Sequence, residues 1–372
     1  MNGALIVVAL WFAQDPAAPP AAPRATAAAA LPTREEAEAG LDRGLEFLVQ
    51  SQNKDGSWGG HTDQMFPSGF ANPVTYDCWR YGTTSLAVLT LIEFGHGEAQ
   101  ATALQRGLEF LIEHPETKRP ADWDIDNVWS LIYGLNTLAH ALHHPRFADS
   151  PMRDKIKSTA EVLLAGMKQM QSPRGGWGYY ADPDSNWRPE WATSFTTSAG
   201  LLALVEAKEA GLAVDEKVFK AAVKAVEICR LPNGAISYDV SPTPRHFYLE
   251  SIDQVKGSLG RIQVANFALS RAGVQVEEKT RTTGLDLFFE HHKFLDVARN
   301  KPIPHEAYYQ NAAYFYLFGH HYAACVIETL PKAERLDYSR RLWREILKTQ
   351  QKDGAMWDFW IANSTKPYGT AF

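Results

Sequence analysis

The sequence predicts an all-α protein whose paired helices stack side by side and close into a ring. Three observations carry this expectation. Apolar residues recur at helical spacing from Thr33 onward, charged amphipathic helices alternate with more apolar ones, and glycine–tryptophan turns punctuate the cycle. The composition of the 372 residues, 45% apolar and 22% charged, is globular and excludes collagen-like and low-complexity chains. At about 150 residues per domain the length suggests two domains, a prior that a repeat overrides. Cys78, Cys229 and Cys325 are too scattered for a disulfide framework or a cysteine-rich zinc site. A net charge of −6 without a dense basic run argues against nucleic acid and anionic membrane surfaces as partners.

Residues 1–33 are set apart from the body. The run Ala4–Ala13 is apolar but too short to span a bilayer, and the Ala/Pro tract after it reads as a linker. Together they look like an export signal followed by a spacer, although Met1-Asn2-Gly3 carries no Lys or Arg. The expected location is secreted or periplasmic, otherwise cytoplasmic, and no transmembrane segment is expected.

From residue 34 to 372 the cycles are expected as follows. Glu35–Gln52 pairs with Thr83–Phe94, Leu104–Glu113 with Val128–Leu142, and Ile156–Gln171 with Trp191–Ala207. Val218–Cys229 pairs with Gly257–Ala272, Thr283–Val297 with Tyr309–Leu330, and a sixth outer helix spans Tyr338–Gln351. Gly56 and Trp58 follow Gln52 by four and six residues, as Gly175 and Trp177 follow Gln171; after Gln350 the tryptophan, Trp357, is one residue late. Glycine at a helix end accepts a left-handed backbone, and an indole just beyond folds back over that end. No hairpin buries both faces alone, so neighbours stack, the apolar second helices inside and the charged first helices outside. The sixth inner helix is expected to be missing or truncated, leaving the ring open and the apolar flanks of the first and fifth inner helices exposed.

The run Arg43-Gly44-x-x-Phe47-Leu48-x-x-x-Gln52-x-x-x-Gly56-x-Trp58 resembles the repeat of the prenyltransferase and squalene-oxidase family, the QW motif of squalene–hopene cyclases. The match is close in the first cycle, partial in the third and sixth, and degraded elsewhere. The resemblance implies a single (α/α)6 toroid resembling a squalene–hopene cyclase domain. It further implies an apolar, isoprenoid-class ligand in the central cavity and, more finely, terpene cyclase-type or prenyltransferase-like activity. Family cyclases use two toroids, so a second toroid or protein partner would supply the missing wall.

All long connections join outer to inner helices, which places them on one rim with the N-termini of the inner helices. The sharpest element there is Asp122-Trp123-Asp124-Ile125-Asp126-Asn127. Class II terpene cyclases carry Asp-x-Asp-Asp at this place. On that resemblance Asp124 matches the first Asp and Asp126 the proton donor, while Asn127 departs from the pattern. Asp126, Asp124 and Asp122 are therefore the candidate acids. Read without the resemblance, Asp124 or Asp126 is an N-cap with solvated neighbours, and the residues by themselves favour that plainer reading. Trp123, Trp129, Tyr133, Trp187, Trp191, Phe195, Tyr309 and Phe318 are the candidate ligand-binding rings, able to hold an apolar chain and to face a cation. His320 is the histidine expected to line the cavity. His143-His144 follows an inner helix on the opposite face and is expected at the surface; His320-His321 sits mid-helix, where adjacent residues diverge by about 100°, so the two are not expected to bind one metal. No cofactor is implied: a P-loop, a dinucleotide fingerprint and a nucleophile elbow are all lacking. Two alternatives stand beside the isoprenoid reading: a noncatalytic exported scaffold toroid, and a carbohydrate-active (α/α)6 lyase or hydrolase using Asp124, Asp126, Glu190 and Trp187.

Overall fold

The computed structural model describes residues 30–60, 73–115, 119, 125–181, 189–241, 251–299, 301, 308–360 and 365–372. The chain divides into Met1–Leu31 and Pro32–Phe372, and all helices below belong to the second unit. In chain order they are α1 (Arg34–Ser51) and α2 (Pro73–Phe94), α3 (Glu98–Glu113) and α4 (Asn127–His143), α5 (Arg153–Gln169) and α6 (Ser194–Glu209). Then come α7 (Glu216–Ile228) and α8 (Leu259–Arg271), α9 (Glu278–Glu290) continued by α10 (Lys293–Ala298), α11 (Phe315–Glu328), α12 (Lys332–Leu347) and α13 (Lys366–Ala371). The molecule is an all-α (α/α) toroid, and among the described residues the only β pairing is three isolated bridges.

Burial separates the layers. In α7 only Val218, Ala222, Ala225 and Val226 are buried, one helical stripe, whereas α6 is buried at every residue from Ser194 to Ala207. The inner helices α2, α4, α6, α8 and α11 each pack on the next. Gly260 and Gly319 let α8 and α11 approach so closely that a Cβ on Gly260 would lie 3.2 Å from the Gly319 Cα.

The turns are built alike. Gln52 Nε2 donates to Gly56 O (2.9 Å) and to Ala103 O of α3 (2.8 Å); Gln171 Nε2 donates to Gly175 O (2.7 Å) and Val218 O of α7 (2.9 Å). The Trp58 indole N–H closes on Leu48 O at 2.7 Å and that of Trp177 on Met167 O at 2.9 Å. Gly56, with φ of 90°, lies against the Arg106 carbonyl, where a Cβ would approach to 2.4 Å. The same turn recurs after Arg230 and Gln350, with Gly234 and Gly354 at positive φ and with bridges Arg230–Ile236 and Gln350–Met356. The expected one-residue slip in the last turn is thus corrected. Met356 fills the position six beyond Gln350, and Trp357 turns aside to donate to Thr365 Oγ1 at 2.9 Å.

Gln350 Nε2 also donates to Gly40 O of α1 (2.8 Å) and Gln350 Oε1 accepts from Arg43, repeating what Gln52 does with α3 and Arg106. The outer layer therefore closes, which contradicts the expected open ring. The short α13 fills the rim end between α11 and α2, where Thr90 Oγ1 donates to Ala371 O at 2.6 Å. Below it a groove of about 970 Å³ runs between α2 and α11, lined by Leu86, Leu89, Phe94, Tyr322 and Cys325 among others.

Several element bounds differ from expectation: α3 and α12 start earlier, at Glu98 and Lys332, and the expected Thr283–Val297 helix starts at Glu278 and is broken between α9 and α10. Helix α2 starts ten residues before Thr83, because Tyr76, Tyr81 and Cys78 are buried against the neighbouring elements in spite of the polar residues between them. Helix α11 starts at Phe315, not Tyr309, because Gln310 takes a left-handed φ of 52°.

Candidate functional site at the rim

The N-terminus of α4 brings the chemistry together. Asp126 occupies the N-cap position in a left-handed conformation (φ 65°, ψ 11°), and its side chain makes no capping bond. The backbone on both sides is fixed. Ile125 N donates to Thr75 Oγ1 of α2 (3.0 Å), and Val128 N donates to Tyr179 O (3.2 Å). Asn127, the departure from the cyclase-like pattern, is fully buried and clamps Ala181 from both sides: its Nδ2 donates to the carbonyl at 2.8 Å and its Oδ1 accepts from the N–H at 3.1 Å. An aspartate there could accept but not donate.

The left-handed turn throws the Asp126 carboxylate away from the helix end and onto the Trp79 indole, whose Nε1 donates to Oδ2 at 3.0 Å. Burial pushes the Asp126 carboxyl up to about 6, with the Trp79 hydrogen bond working against the rise, and no Lys, Arg or His among the described residues neutralises it. Asp126 keeps some accessible surface, as do Trp79, Trp129, Tyr179, Tyr238 and Tyr314. Its charge also raises the hydroxyl pKa values of Tyr238 and Tyr314, secondary to their own burial.

Beside it lies an aromatic cluster drawn from α4, α6, α11 and α13. Trp129 stacks on Tyr133 (5.3 Å) and Phe195 (5.9 Å) and meets Phe318 edge-on (6.5 Å). Phe195 packs edge-on against Phe315 at 4.8 Å, and Phe372 closes the cluster against Tyr133 (5.8 Å) and Phe318 (5.9 Å). Tyr179 and Tyr238 are hydrogen-bonded through their hydroxyls, and the buried Arg261 guanidinium lies 5.4 Å from the Tyr238 ring.

The sequence-expected residues divide into three groups. Asp126, Trp129, Tyr133, Phe195 and Phe318 are brought together, and Trp191 joins at the side through Tyr179 at 5.0 Å. Two are placed elsewhere. Tyr309 packs on Phe294 (4.7 Å) and Lys256, because it precedes α11. His320 lines the groove between α2 and α11, not the rim site, and is turned toward the outer layer, where it is stacked on Tyr316 at 4.3 Å and hydrogen-bonded to His292 at 2.9 Å. Burial there lowers its pKa to about 3. Its neighbour His321 faces Phe372 instead. Asp122, Trp123, Asp124 and Trp187 lie outside the described residues.

Tyr179 and Tyr238 were not among the expected site residues, whereas Trp79 lies in the Tyr76-Asp77-Cys78-Trp79 run that the sequence places on the rim. Tyr179 and Tyr238 each stand two residues beyond the buried turn position held by Trp177 and Ile236, so the repeat register, once extended through the degraded fourth turn, would have found both.

No known protein-family profile matches the chain. Among solved structures it is similar to the GH76A α-1,6-mannanase from Salegentibacter sp. HEL1_6, with a TM-score of 0.53 at 12% identity over 90% of this chain and 97% of that one. A possible GH105 family member from Salmonella enterica serovar Paratyphi A gives a TM-score of 0.53 at 11% identity, covering 94% of both chains. The type II terpene cyclase MstE from Scytonema gives 0.47 at 13% identity, covering 87% of this chain and 82% of that one. At these identities the likeness is one of fold, the (α/α) toroid, and the cyclase score is too low to argue from. No helix among the described residues is long and apolar enough to cross a membrane.

Proposed function

We propose that the rim site binds an apolar chain of the isoprenoid class along the ring cluster and that Asp126 is the acid that faces it. The observation that carries this reading is the state of the Asp126 carboxyl. It neither caps α4 nor pairs with a cation, but is held by a single indole N–H in surroundings that favour its neutral form. A proton donor must be neutral before it acts. Transfer to an alkene breaks the Asp126 O–H bond, forms a C–H bond and leaves a carboxylate near a carbocation. Trp129 and Tyr314, which keep accessible surface while Phe195 and Phe318 are buried behind them, would attract that cation. Burial of the chain against the same rings would supply binding at roughly 25 cal/mol per Å².

A second reading, a carbohydrate-active toroid, is favoured by the polar tips of Trp79, Tyr179, Tyr238 and Tyr314 around the same carboxyl. It requires a second carboxylate roughly 5–10 Å away.

The test is Asp126→Asn, assayed on farnesyl and geranylgeranyl substrates and on an oligosaccharide panel. The isoprenoid reading expects polyprenyl turnover to fall about 10²–10⁴-fold with ligand binding retained. Turnover lost only on saccharides would transfer the site to the second reading. Unchanged polyprenyl turnover would remove Asp126 as the acid and leave a noncatalytic binding toroid. The wild-type rate should fall about tenfold per pH unit above about 6, because the protonated carboxyl is depleted as pH rises through that value. A rate that rises through that window would contradict the assignment.

A further inference from the structure

At the end of the ring opposite the rim, the C-terminal turns of four inner helices converge on a cluster that plays no part in the site above. His140 and His143 stand three residues apart at the end of α4 and share a face, which the adjacent pair His143-His144 in the sequence concealed. His140 Nδ1 lies 3.4 Å and His143 Nε2 2.8 Å from the same oxygen, Oε2 of the buried Glu206 on α6. All three donor atoms fall within 4.8 Å of one another. Ligands of a tetrahedral zinc with bonds of about 2.0–2.1 Å are separated by roughly 3.4 Å, so modest side-chain adjustment would close the set.

The groups behind these donors hold them in the orientation a metal needs. The other nitrogen of His140, Nε2, lies 2.5 Å from Glu93 of α2, the carboxylate–histidine arrangement that fixes a ligating ring. The other oxygen of Glu206, Oε1, accepts from Arg271 of α8 at 2.9 Å, which leaves Oε2 as a single-atom donor. Arg271 is shared with Glu209 at 2.8 Å. With neutral imidazoles the cluster therefore sets three carboxylates against one guanidinium, and the carboxyl end of α4 adds a negative dipole end. His140, Glu206, Arg271 and Glu93 also line the groove beneath α13, so a fourth coordination position would open toward it.

The second cluster of this kind, His292, Asp296 and Glu345, differs in a decisive way. Both Glu345 oxygens are already taken, by Arg344 at 2.8 Å and Lys348 at 2.5 Å, and it reads as an ion-pair network.

We propose that His140, His143 and Glu206 form a divalent metal site of the zinc type, with an open position facing the groove, that staples the inner helices at this end of the ring. Both imidazoles and one carboxylate oxygen suit a borderline ion better than magnesium or calcium.

The full chain, stripped with a chelator and dialysed, is titrated with Zn²⁺ by calorimetry and with Co²⁺ in the visible spectrum. The expected result is one equivalent of Zn²⁺ bound at micromolar affinity or tighter, and Co²⁺ bands of a four- or five-coordinate site. His143→Ala, which alters only a surface-facing side chain, should weaken binding at least 100-fold with an unchanged circular dichroism spectrum. Glu93→Gln, behind the ligand, should weaken it about 10–100-fold. Absence of stoichiometric binding, or binding that survives His143→Ala or is lost in His292→Ala instead, would overturn the site and leave a cluster of ion pairs.

Discussion

Two aspartates show how the same side chain acquires different work from its partners. Asp126 accepts an indole N–H and borders the ring cluster, whereas Asp358 is wholly buried, with Oδ2 accepting from Leu317 N at 2.9 Å and Oδ1 unpartnered. Burial raises the Asp358 carboxyl to about 7, opposed by backbone N–H groups and by Arg299; the Tyr368 hydroxyl is the other titratable group that feels its charge. In the unfolded chain the same carboxyl titrates near 4. Between those two values the folded protein keeps a proton that the unfolded chain has released, so stability falls as pH rises across the window, by up to roughly 4 kcal/mol. Asp358→Asn should flatten that dependence. Urea midpoints at about pH 4.5 and 7.5 check this, and an equal decline in both proteins would refute it.

At the scale of the element, the turns explain how each hairpin is joined to the next. The N–H six residues beyond the turn's first position is accepted by a hydroxyl of the following inner helix in four cases. Trp58 N reaches Thr84 Oγ1 at 2.9 Å, Trp177 N reaches Thr197 Oγ1 at 3.1 Å, Ile236 N reaches Ser258 Oγ at 3.4 Å, and Met356 N reaches Thr370 Oγ1 at 2.9 Å. Thr84→Val keeps the shape and strands a buried donor, which should cost about 1–3 kcal/mol. Thermal unfolding of Thr84→Val and Thr197→Val measures it, and a loss confined to one of them would show that the turns are not equivalent. The glycines and tryptophans of the first and third turns were legible because each demands a rare conformation or a large buried ring. The four hydroxyl residues were not, because Thr and Ser are common in helices and their partners lie up to 26 residues away.

For the whole molecule the decisive contact is the one that joins the last outer helix to the first. Gln350 bonds Gly40 O of α1 and Gly354 O of its own turn, which makes it the ring-closing counterpart of Gln52. Gln350→Ala should lower stability by about 1–3 kcal/mol through the unsatisfied carbonyls. Amide hydrogen exchange should then accelerate first in α1, α12 and α13. Uniform acceleration around the ring would mean that closure is not a local seam. The groove beneath α13 is the counterpart of this seam: the outer layer is continuous there while the inner layer is not, which leaves Phe94 49% exposed.

The sequence by itself determined the all-α class, the alternation of outer and inner helices, the rim position of Asp126, and the placing of Trp129, Tyr133, Phe195 and Phe318 on inner helices. Those features are written in local periodicity and in turn residues whose backbone demands leave little choice. Only the tertiary structure decided that Asp126 turns its carboxyl to Trp79 in place of capping α4, that His320 faces outward while His321 faces inward, and that Met356 stands where a tryptophan was expected. It likewise decided that His140 and His143 meet Glu206 across two helices. These outcomes depend on which donor lies across the ring from which acceptor, and such pairings between distant segments leave no period in the chain.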